Sequence, residues 1–158
     1  MKEQLIRILY PIFNRIKRTL QRCFHFSTVG VRALVINANQ EILLVEHSYQ
    51  EGWYLPGGGV DHLESPKAAI IRELQEETGV IVKGEPQLLA VYANQIHGAS
   101  DYPILYLVKD YEIQSKQLCR EIKNIGWFAK DNLPSKVSES TKRRIVEFFN
   151  HQPFSERW

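Results

Sequence analysis

The sequence has few cysteines and no long apolar segment. Its 158 residues include only two cysteines, Cys23 and Cys119, and these are too far apart in sequence to form a disulfide framework. A reducing cytoplasm is therefore the simplest expectation. No run of about 18 uninterrupted apolar residues occurs, so we predict no transmembrane helix. The chain also has no internal repeat and no low-complexity linker.

What is present suits one compact domain with an appendage. With 44% hydrophobic residues, a chain of 158 residues is long enough for one hydrophobic core but short for two domains. The formal net charge is +2, yet residues 1–25 alone carry +5, which leaves −3 for the rest. We therefore predict a basic extension over residues 1–25 and a mildly acidic main domain over residues 26–158.

The extension has the spacing of an amphipathic helix. Pro11 should kink this helix or split it in two. Arginines interrupt its apolar positions, so it does not resemble a secretory signal. Three roles stay open: packing on the domain or on a second copy in a homodimer, peripheral contact with an anionic membrane surface, and contact with RNA, which would depend on charge alone. The apolar positions recur at three- and four-residue steps: Leu5, Ile8, Leu9, Ile12, Ile16 and Leu20.

The centre of the chain predicts a helix over residues 66–78. Ser65 followed by Pro66 is typical of an N-cap and a first helical residue. Gly79 is typical of the residue that ends a helix. We therefore expect one helix of about three and a half turns, with a defined start and a defined end.

Three acids share one side of this helix and need a counter-charge. Glu73, Glu76 and Glu77 lie at positions i, i+3 and i+4, where like charges destabilise a helix by about 0.2 to 0.5 kcal/mol. Two of them fall in the last turn, where the helix dipole disfavours anions. Arg72 can neutralise only part of the charge. A hard divalent cation such as Mg²⁺ takes carboxylate ligands while holding substrate phosphates, and it would remove the surplus. The alternative is an ordinary solvated helix face.

The fixed residues around the helix extend from position 58 to position 80. This segment reads GGVDHLESPKAAIIRELQEETGV and matches Gly-x5-Glu-x7-Arg-Glu-U-x-Glu-Glu-x-Gly-U at every fixed position, where U is a bulky aliphatic residue. The pattern is the signature of the Nudix hydrolases, which the chain resembles over roughly residues 29–150. A solvated helix face does not account for so many residues in register.

The resemblance implies a fold and an activity. The fold would be α/β, a mixed sheet in an α/β/α sandwich, with the N-terminal helix as an addition. The activity would be hydrolysis of a diphosphate bond in a nucleoside diphosphate linked to another group, by a metal-activated water. Mg²⁺ would be the cofactor, with Mn²⁺ as a substitute. The alternative is a non-catalytic domain of the same fold that senses a nucleotide or binds a partner.

The same resemblance implies roles for individual residues. Glu73, Glu76 and Glu77 resemble metal ligands, and Arg72 resembles the residue that orients them. Glu64 would brace the loop against the helix. Glu121, just before a predicted strand, is our candidate for a general base. A loop of three glycines would approach a ligand or metal with its backbone: Gly57, Gly58 and Gly59.

The remaining segments predict strands and a last helix. Residues 31–36 and 42–47 are expected to form a hairpin, and residues 88–93, 104–108 and 125–128 three further strands. Ser138 can cap a helix that turns Ile145, Phe148 and Phe149 to one face. A loop over residues 94–102 could cover a nucleotide pocket. Its candidate contacts are Tyr92, Asn94, Gln95, His97 and Tyr102, each of which is more often a packing or solvated residue.

Overall fold

The computed structural model describes residues 27–96, 98–114 and 119–158. The predicted N-terminal helix and Cys23 lie outside the described residues, so that helix and the domain division beside it stay predictions. The described elements are, in order, β1 (Thr28–Val35), β2 (Glu41–His47), β3 (Trp53–Tyr54), α1 (Pro66–Thr78), β4 (Val80–Val82), β5 (Gln87–Val91), β6 (Asn94–Ile96), β7 (Ala99–Val108), β8 (Tyr111–Ile113), β9 (Ile122–Ala129) and α2 (Glu139–Phe149).

The strands form two main sheets and a smaller one. In the larger sheet the order is β1-β7-β5, and β6 also pairs with β7. β1 runs parallel to β7, whereas β5 and β6 run antiparallel to it. The second sheet has the order β3-β2-β9, and β4 pairs with β8 alone. The predicted mixed sheet is therefore confirmed.

Two hydrophobic clusters lie on opposite sides of β1. Side chains alternate along a strand, so Val31 and Val35 pack with Ile70 and Leu74 of α1. The intervening Leu34 packs into the cluster that contains Ile145 of α2. The larger sheet thus separates the two helices, as expected for an α/β/α sandwich.

Both helices begin as the sequence predicts. The Ser65 hydroxyl accepts a hydrogen bond from the Ala68 N–H at 3.1 Å, and Gly79 ends α1 with a φ of 73°. The Ser138 hydroxyl accepts from the Thr141 N–H at 3.2 Å at the start of α2. Capping side chains and a left-handed glycine are local signals, which explains why these helix limits can be found without tertiary information.

The predicted hairpin of residues 31–36 and 42–47 is correct only for its turn, and the predicted pairing of the two strands is wrong. The Asn37 side-chain oxygen accepts from the N–H groups of Asn39 and Glu41, both at 2.9 Å, so a tight turn does form. Only Ile36 and Ile42 then form a bridge, after which β1 joins β7 and β2 joins β3 and β9. Both segments contain four consecutive apolar residues, 33–36 and 42–45. Such runs suit strands buried on both faces, whose partners need not be local.

The predicted loop over residues 94–102 is a hairpin instead. β6 pairs with the first residues of β7, with Asn94 opposite Asp101 and Ile96 opposite Ala99. The buried Asp101 carboxylate accepts hydrogen bonds from the Thr28 hydroxyl at 2.6 Å and from the Asn94 amide at 3.2 Å. Polar side chains on adjacent strands can hydrogen-bond to one another. Such strands lack the alternating apolar pattern by which a sequence predicts a strand. His97 lies outside the described residues.

Tyr92 is a core residue, not a pocket residue. Its side chain is 1% exposed, and its ring packs edge-on against Trp158 with centroids 5.2 Å apart. The guanidinium of Arg144 lies 4.3 Å from the centre of the Tyr92 ring. The C-terminal segment covers this side, because the Ala93 N–H donates to the Glu156 carbonyl at 2.8 Å and the Trp158 N–H donates to the Ala93 carbonyl at 3.2 Å.

Other predicted features differ only in extent. Strand β9 begins at Ile122, three residues before the prediction, and β5 ends at Val91. Trp53 packs on Phe128 with ring centroids 4.9 Å apart. In the ranges that the structure describes, no helix is both long and apolar enough to cross a membrane.

Arg144 provides a test of the packing under α2. Its side chain is fully buried, and its Nε lies 2.8 Å from a carboxylate oxygen of Glu147. Arg144→Ala should lower the free energy of unfolding by about 3 to 5 kcal/mol, because the Glu147 carboxylate would stay buried without its partner. Arg143→Ala is the matched control, since Arg143 is exposed and its hydrogen bond within the described ranges goes to the Trp158 carbonyl, at 2.9 Å. Urea denaturation measures both, and equal losses would contradict the assignment.

Candidate active site

The glycine loop is hydrogen-bonded along the free edge of β1. The Val31 N–H donates to the Gly58 carbonyl at 2.9 Å, and the Ala33 N–H donates to the Pro56 carbonyl at 3.0 Å. The Val60 N–H donates back to the Val29 carbonyl at 3.1 Å. β7 occupies the other edge of β1. The loop is therefore held as an additional short strand, with its glycines next to α1.

Two of the three glycines are required because neighbouring atoms lie too close to them to leave room for a side chain. Gly57 has a φ of 134°, and a side chain there would collide with the Val31 backbone. A Cβ at Gly58 would overlap the carboxylate of Glu73. Gly59 has nothing within 4 Å of the equivalent position. The loop thus needs Gly57 for its path and Gly58 for its contact with α1.

Arg72 links the loop to three acids. Its Nε and Nη2 donate to the two carboxylate oxygens of Glu64, both at 2.9 Å. Its Nη1 donates to Glu73 at 2.8 Å and to Glu76 at 3.3 Å. The hydrogen bonds from Arg72, followed by one from the Asp61 N–H, lower the pKa of Glu64 to about 2. Glu64 is therefore ionised across the ordinary pH range and holds Arg72 in place.

Glu77 occupies a different environment from the acids that Arg72 holds. It is 8% exposed, and its carboxylate accepts a hydrogen bond from the Gly57 N–H at 2.8 Å. Burial raises its pKa to about 7, with smaller opposing contributions from the Gly57 hydrogen bond and the Arg32 charge. Burial also raises the pKa of Glu73, against the hydrogen bond from Arg72. The folded protein therefore contains a buried carboxylate that a proton or a cation would stabilise.

Glu76 and Glu121 lie at the outer side of the site. The Glu76 side chain is 57% exposed, at the end of the Arg72 network. Glu121 is exposed immediately before β9, and its carbonyl accepts from the Ser48 N–H at 2.8 Å. Its charge contributes to the raised pKa of Glu77, after burial and the charge of Glu73. The structure thus brings Arg72, Glu64, Glu73 and Glu76 into one network. Glu77 is buried next to this network, and Glu121 lies on a separate segment just before β9.

The acidic groups have the ligand chemistry that a hard cation prefers, but their side chains do not form a preformed metal site. Among residues 27–96, 98–114 and 119–158, no three His, Cys, Asp or Glu side chains converge closely enough to hold a metal ion. The donors along α1 are nevertheless all carboxylate oxygens, which Mg²⁺ prefers. The buried charge of Glu77 is the observation that favours a nearby cation, because burial penalises the ionised carboxylate.

Sequence reasoning missed Arg32. This residue lies in β1 between the buried Val31 and Ala33 and is itself half-buried. Its Nη1 donates to the Val31 carbonyl at 2.7 Å and to the Gly58 carbonyl at 3.4 Å. A single basic residue inside an apolar strand was the available signal, because a charge in such a strand needs a partner.

Comparisons with known proteins agree with the fold and identify the family. A family model described as the NUDIX domain matches residues 27–149. A Bacillus subtilis protein named as a putative 8-oxo-dGTP diphosphatase is 32% identical over 123 residues, which cover 78% of this chain and 80% of that protein. The crystal structure of a MutT Nudix hydrolase from Burkholderia pseudomallei aligns with a TM-score of 0.68 and 29% identity, covering 77% of this chain and 97% of that one.

Another relative matches over a shorter part of the chain. The human diphosphoinositol polyphosphate phosphohydrolase 2 is 46% identical over 57 residues, which cover 35% of this chain and 31% of that protein. The mixed sheet, the two helices and the acidic α1 together define a Nudix fold. This chain belongs to the Nudix hydrolase family, whose enzymes act on pyrophosphate bonds and generally use divalent metals. The resemblance inferred from the sequence is confirmed.

Gly58 and Gly59 allow a matched test of the loop. Gly58→Ala should lower kcat/KM by about a hundredfold, because the new methyl group displaces the Glu73 carboxylate by an ångström or more. Gly59→Ala should leave kcat/KM near the wild-type value, since space is available there. Steady-state kinetics with thermal unfolding as the folding control measures both. A similar loss in the two variants would contradict the close contact between Gly58 and Glu73.

The raised pKa of Glu77 predicts a pH-dependent stability. A carboxyl whose pKa is about 7 when folded and 4.5 in the reference state makes the folded protein lose stability as pH rises between those values. Glu77→Gln should therefore stabilise the metal-free protein at pH 8 by up to about 3 kcal/mol, and by little at pH 4. Glu76→Gln is the control, because its side chain is largely exposed. Urea denaturation in a chelator at both pH values tests this, and a gain at pH 4 equal to that at pH 8 would refute it.

Proposed function

We propose that this protein is a Mg²⁺-dependent hydrolase that cleaves the diphosphate bond of a small nucleoside diphosphate derivative, such as a nucleotide or a nucleotide sugar. The observation that carries the proposal is the buried carboxylate of Glu77, bonded to the Gly57 N–H beside the Arg72 network. A cation that neutralises this carboxylate would lie next to a loop whose backbone can approach a phosphate.

Glu73, Glu76 and Glu77 would hold the metal in this proposal, and Mn²⁺ could replace Mg²⁺. The metal, when bound, shields phosphate charge and lowers the pKa of a bound water. Arg72 holds the Glu73 carboxylate through a bond of 2.8 Å, and Glu64 keeps Arg72 itself in place. The Gly57 N–H orients Glu77.

Glu121 is our candidate to accept a proton from the attacking water. It lies on a different element from the proposed metal ligands, yet close enough for its charge to raise the pKa of Glu77, after burial as the main cause. An exposed carboxylate beside the site can both receive a proton and release it to solvent. This assignment is independent of the proposed metal ligands, so an experiment can refute it while the metal ligands stand.

The substrate class has support from one relative's name. The Bacillus subtilis protein, named as a putative 8-oxo-dGTP diphosphatase, matches most of this chain, which favours a nucleotide. The human relative is named for a diphosphoinositol polyphosphate, but its match covers only 35% of this chain. We therefore propose a nucleoside diphosphate derivative without choosing among bases or sugars.

The deciding experiment is hydrolysis by the purified protein, with and without Mg²⁺. The panel contains nucleoside triphosphates, nucleotide sugars, ADP-ribose, dinucleotides and dinucleoside polyphosphates, with products separated by chromatography. Wild-type protein should cleave one class only when Mg²⁺ is present, and Glu77→Gln should abolish that cleavage. Glu139→Gln is the control, since Glu139 lies on α2 and pairs with Lys142. Silence across the panel with Mg²⁺ binding shown by calorimetry would instead favour a non-catalytic nucleotide sensor.

A further inference from the structure

One face of the larger sheet is covered only in part. Val31 packs with Ile70 and Leu74 of α1 on this face. Because side chains alternate along a strand, Val29 lies on the same face as Val31. Tyr102 is opposite Val29 in the pairing of β1 with β7, so it lies there too. Val29 and Tyr102 nevertheless stay exposed, beyond the part of the face that α1 covers.

The edge strand β5 brings two more apolar side chains to the same face. Leu88 is opposite Tyr106, and Val91 is opposite Ile104. Tyr106 and Ile104 both pack in the hydrophobic cluster under α1, and opposite residues of an antiparallel pair lie on one side of the sheet. We define the exposed apolar face by four side chains, each between 38% and 55% exposed: Val29, Leu88, Val91 and Tyr102.

The side chains of the exposed apolar face are neighbours. Val29 is opposite Tyr102. The half-buried Ile104 connects this pair to β5, since it lies two residues after Tyr102 and opposite Val91. Single apolar residues on a surface are common, whereas a contiguous apolar patch marks a site that another surface covers. A partner for this face is therefore expected.

The N-terminal extension has the size and the pattern to be that partner. Its apolar positions lie within residues 5–20, and a helix of that length would extend about 24 Å. The exposed apolar face crosses the adjacent strands β1, β7 and β5, which takes about 10 Å, and it extends about 13 Å along them. One helix can therefore cover all four side chains.

The covalent connection to β1 favours the chain's own extension over a second molecule. Ser27 directly precedes β1, and Val29 is two residues further on. Residues 21–27 can span about 24 Å when extended, which is enough for a helix to return over the face. A short connection of this kind gives the extension an effective concentration on the order of millimolar at the face. The charges also agree, because residues 1–25 carry +5 and the rest of the chain −3.

We propose that the apolar positions of residues 5–20 dock on the exposed apolar face of the same molecule. Of the three roles that the sequence leaves open for the extension, this is packing on the domain. The docked segment would lie beside the glycine loop, because the Val60 N–H donates to the Val29 carbonyl at 3.1 Å. The inference does not rest on the proposed function, so a failure of either leaves the other standing.

The first test is chemical cross-linking in the full-length chain. Cys23 and Cys119 are replaced by serine, and Ile16→Cys is then combined with Val91→Cys. A short bismaleimide should join the two new cysteines within one molecule, which mass spectrometry detects as a product of monomer mass with linked peptides. The control pair replaces Val91→Cys by Val146→Cys. Val146 is similarly exposed but belongs to α2 on the other side of the sheet, so its yield should be several times lower.

A second test measures whether the two surfaces stabilise each other. Val91→Ser should lower the urea midpoint of the full-length chain, and it should lower it less when Ile16→Ser is already present. The reason is that the effects of two residues in contact do not add. Val146→Ser should shift the midpoint equally in both backgrounds, because it lies outside the exposed apolar face.

The outcomes distinguish the possible partners of the face. Cross-linked dimers in place of the product of monomer mass would show that a second copy covers the face, and would overturn the proposal. Equal cross-linking at positions 91 and 146, or additive midpoint shifts, would overturn it as well. Absence of the cross-link, together with sedimentation of the wild type with vesicles of phosphatidylcholine and phosphatidylserine, would instead assign the extension to a membrane surface. If Val91→Cys fails to fold, Leu88→Cys takes its place.

Discussion

The pairing of the glycine loop with the edge of β1 is the constraint on which the rest of the site depends. Backbone hydrogen bonds from Val31 and Ala33 fix the path of residues 56–60. Because Gly57 and Gly58 have no side chains, this path passes directly against two glutamates of α1. The same β1 carries α1 on one face, through Val31 and Val35. Loop, helix and strand therefore have one relative position, and hydrogen bonds and packing both set it.

The helix α1 carries acidic groups that lower its stability and are only partly neutralised. Its last turn has no basic residue, although a cation there would interact favourably with the helix dipole. Arg72 neutralises part of the charge on the outer side, where Glu64 holds it through two hydrogen bonds. Glu77 is left buried with a raised pKa, because burial exceeds the help that it receives from Gly57. Such uncompensated groups tend to lie at functional sites, where stability has been given up for reactivity.

The other side of the sheet supplies rigidity. Leu34 and Leu105 pack there with Ile145 of α2. Arg144 pairs with Glu147 within α2 at 2.8 Å. It joins α2 to the C-terminal segment by donating to the Arg157 carbonyl at 3.2 Å and to the Ser155 hydroxyl at 3.0 Å. A sheet that is packed on both faces cannot shift easily, since protein interiors are close-packed. The acidic helix and the glycine loop are thus held against a strand that is packed on both faces.

The sequence by itself determined the local features of this protein: both helix starts, the glycine that ends α1, the acidic series and the family signature. Each depends on residues a few positions apart, and capping or helical spacing decides them locally. The strand partners depend on the tertiary structure, because short apolar runs such as those within β1 and β2 do not encode which neighbour they pair with. The tertiary structure also decided that Tyr92 is buried, that residues 94–102 form a hairpin, and that Glu77 is desolvated while the adjacent Glu76 is exposed. Burial is a property of the whole fold, so local spacing cannot show which of two adjacent glutamates is buried.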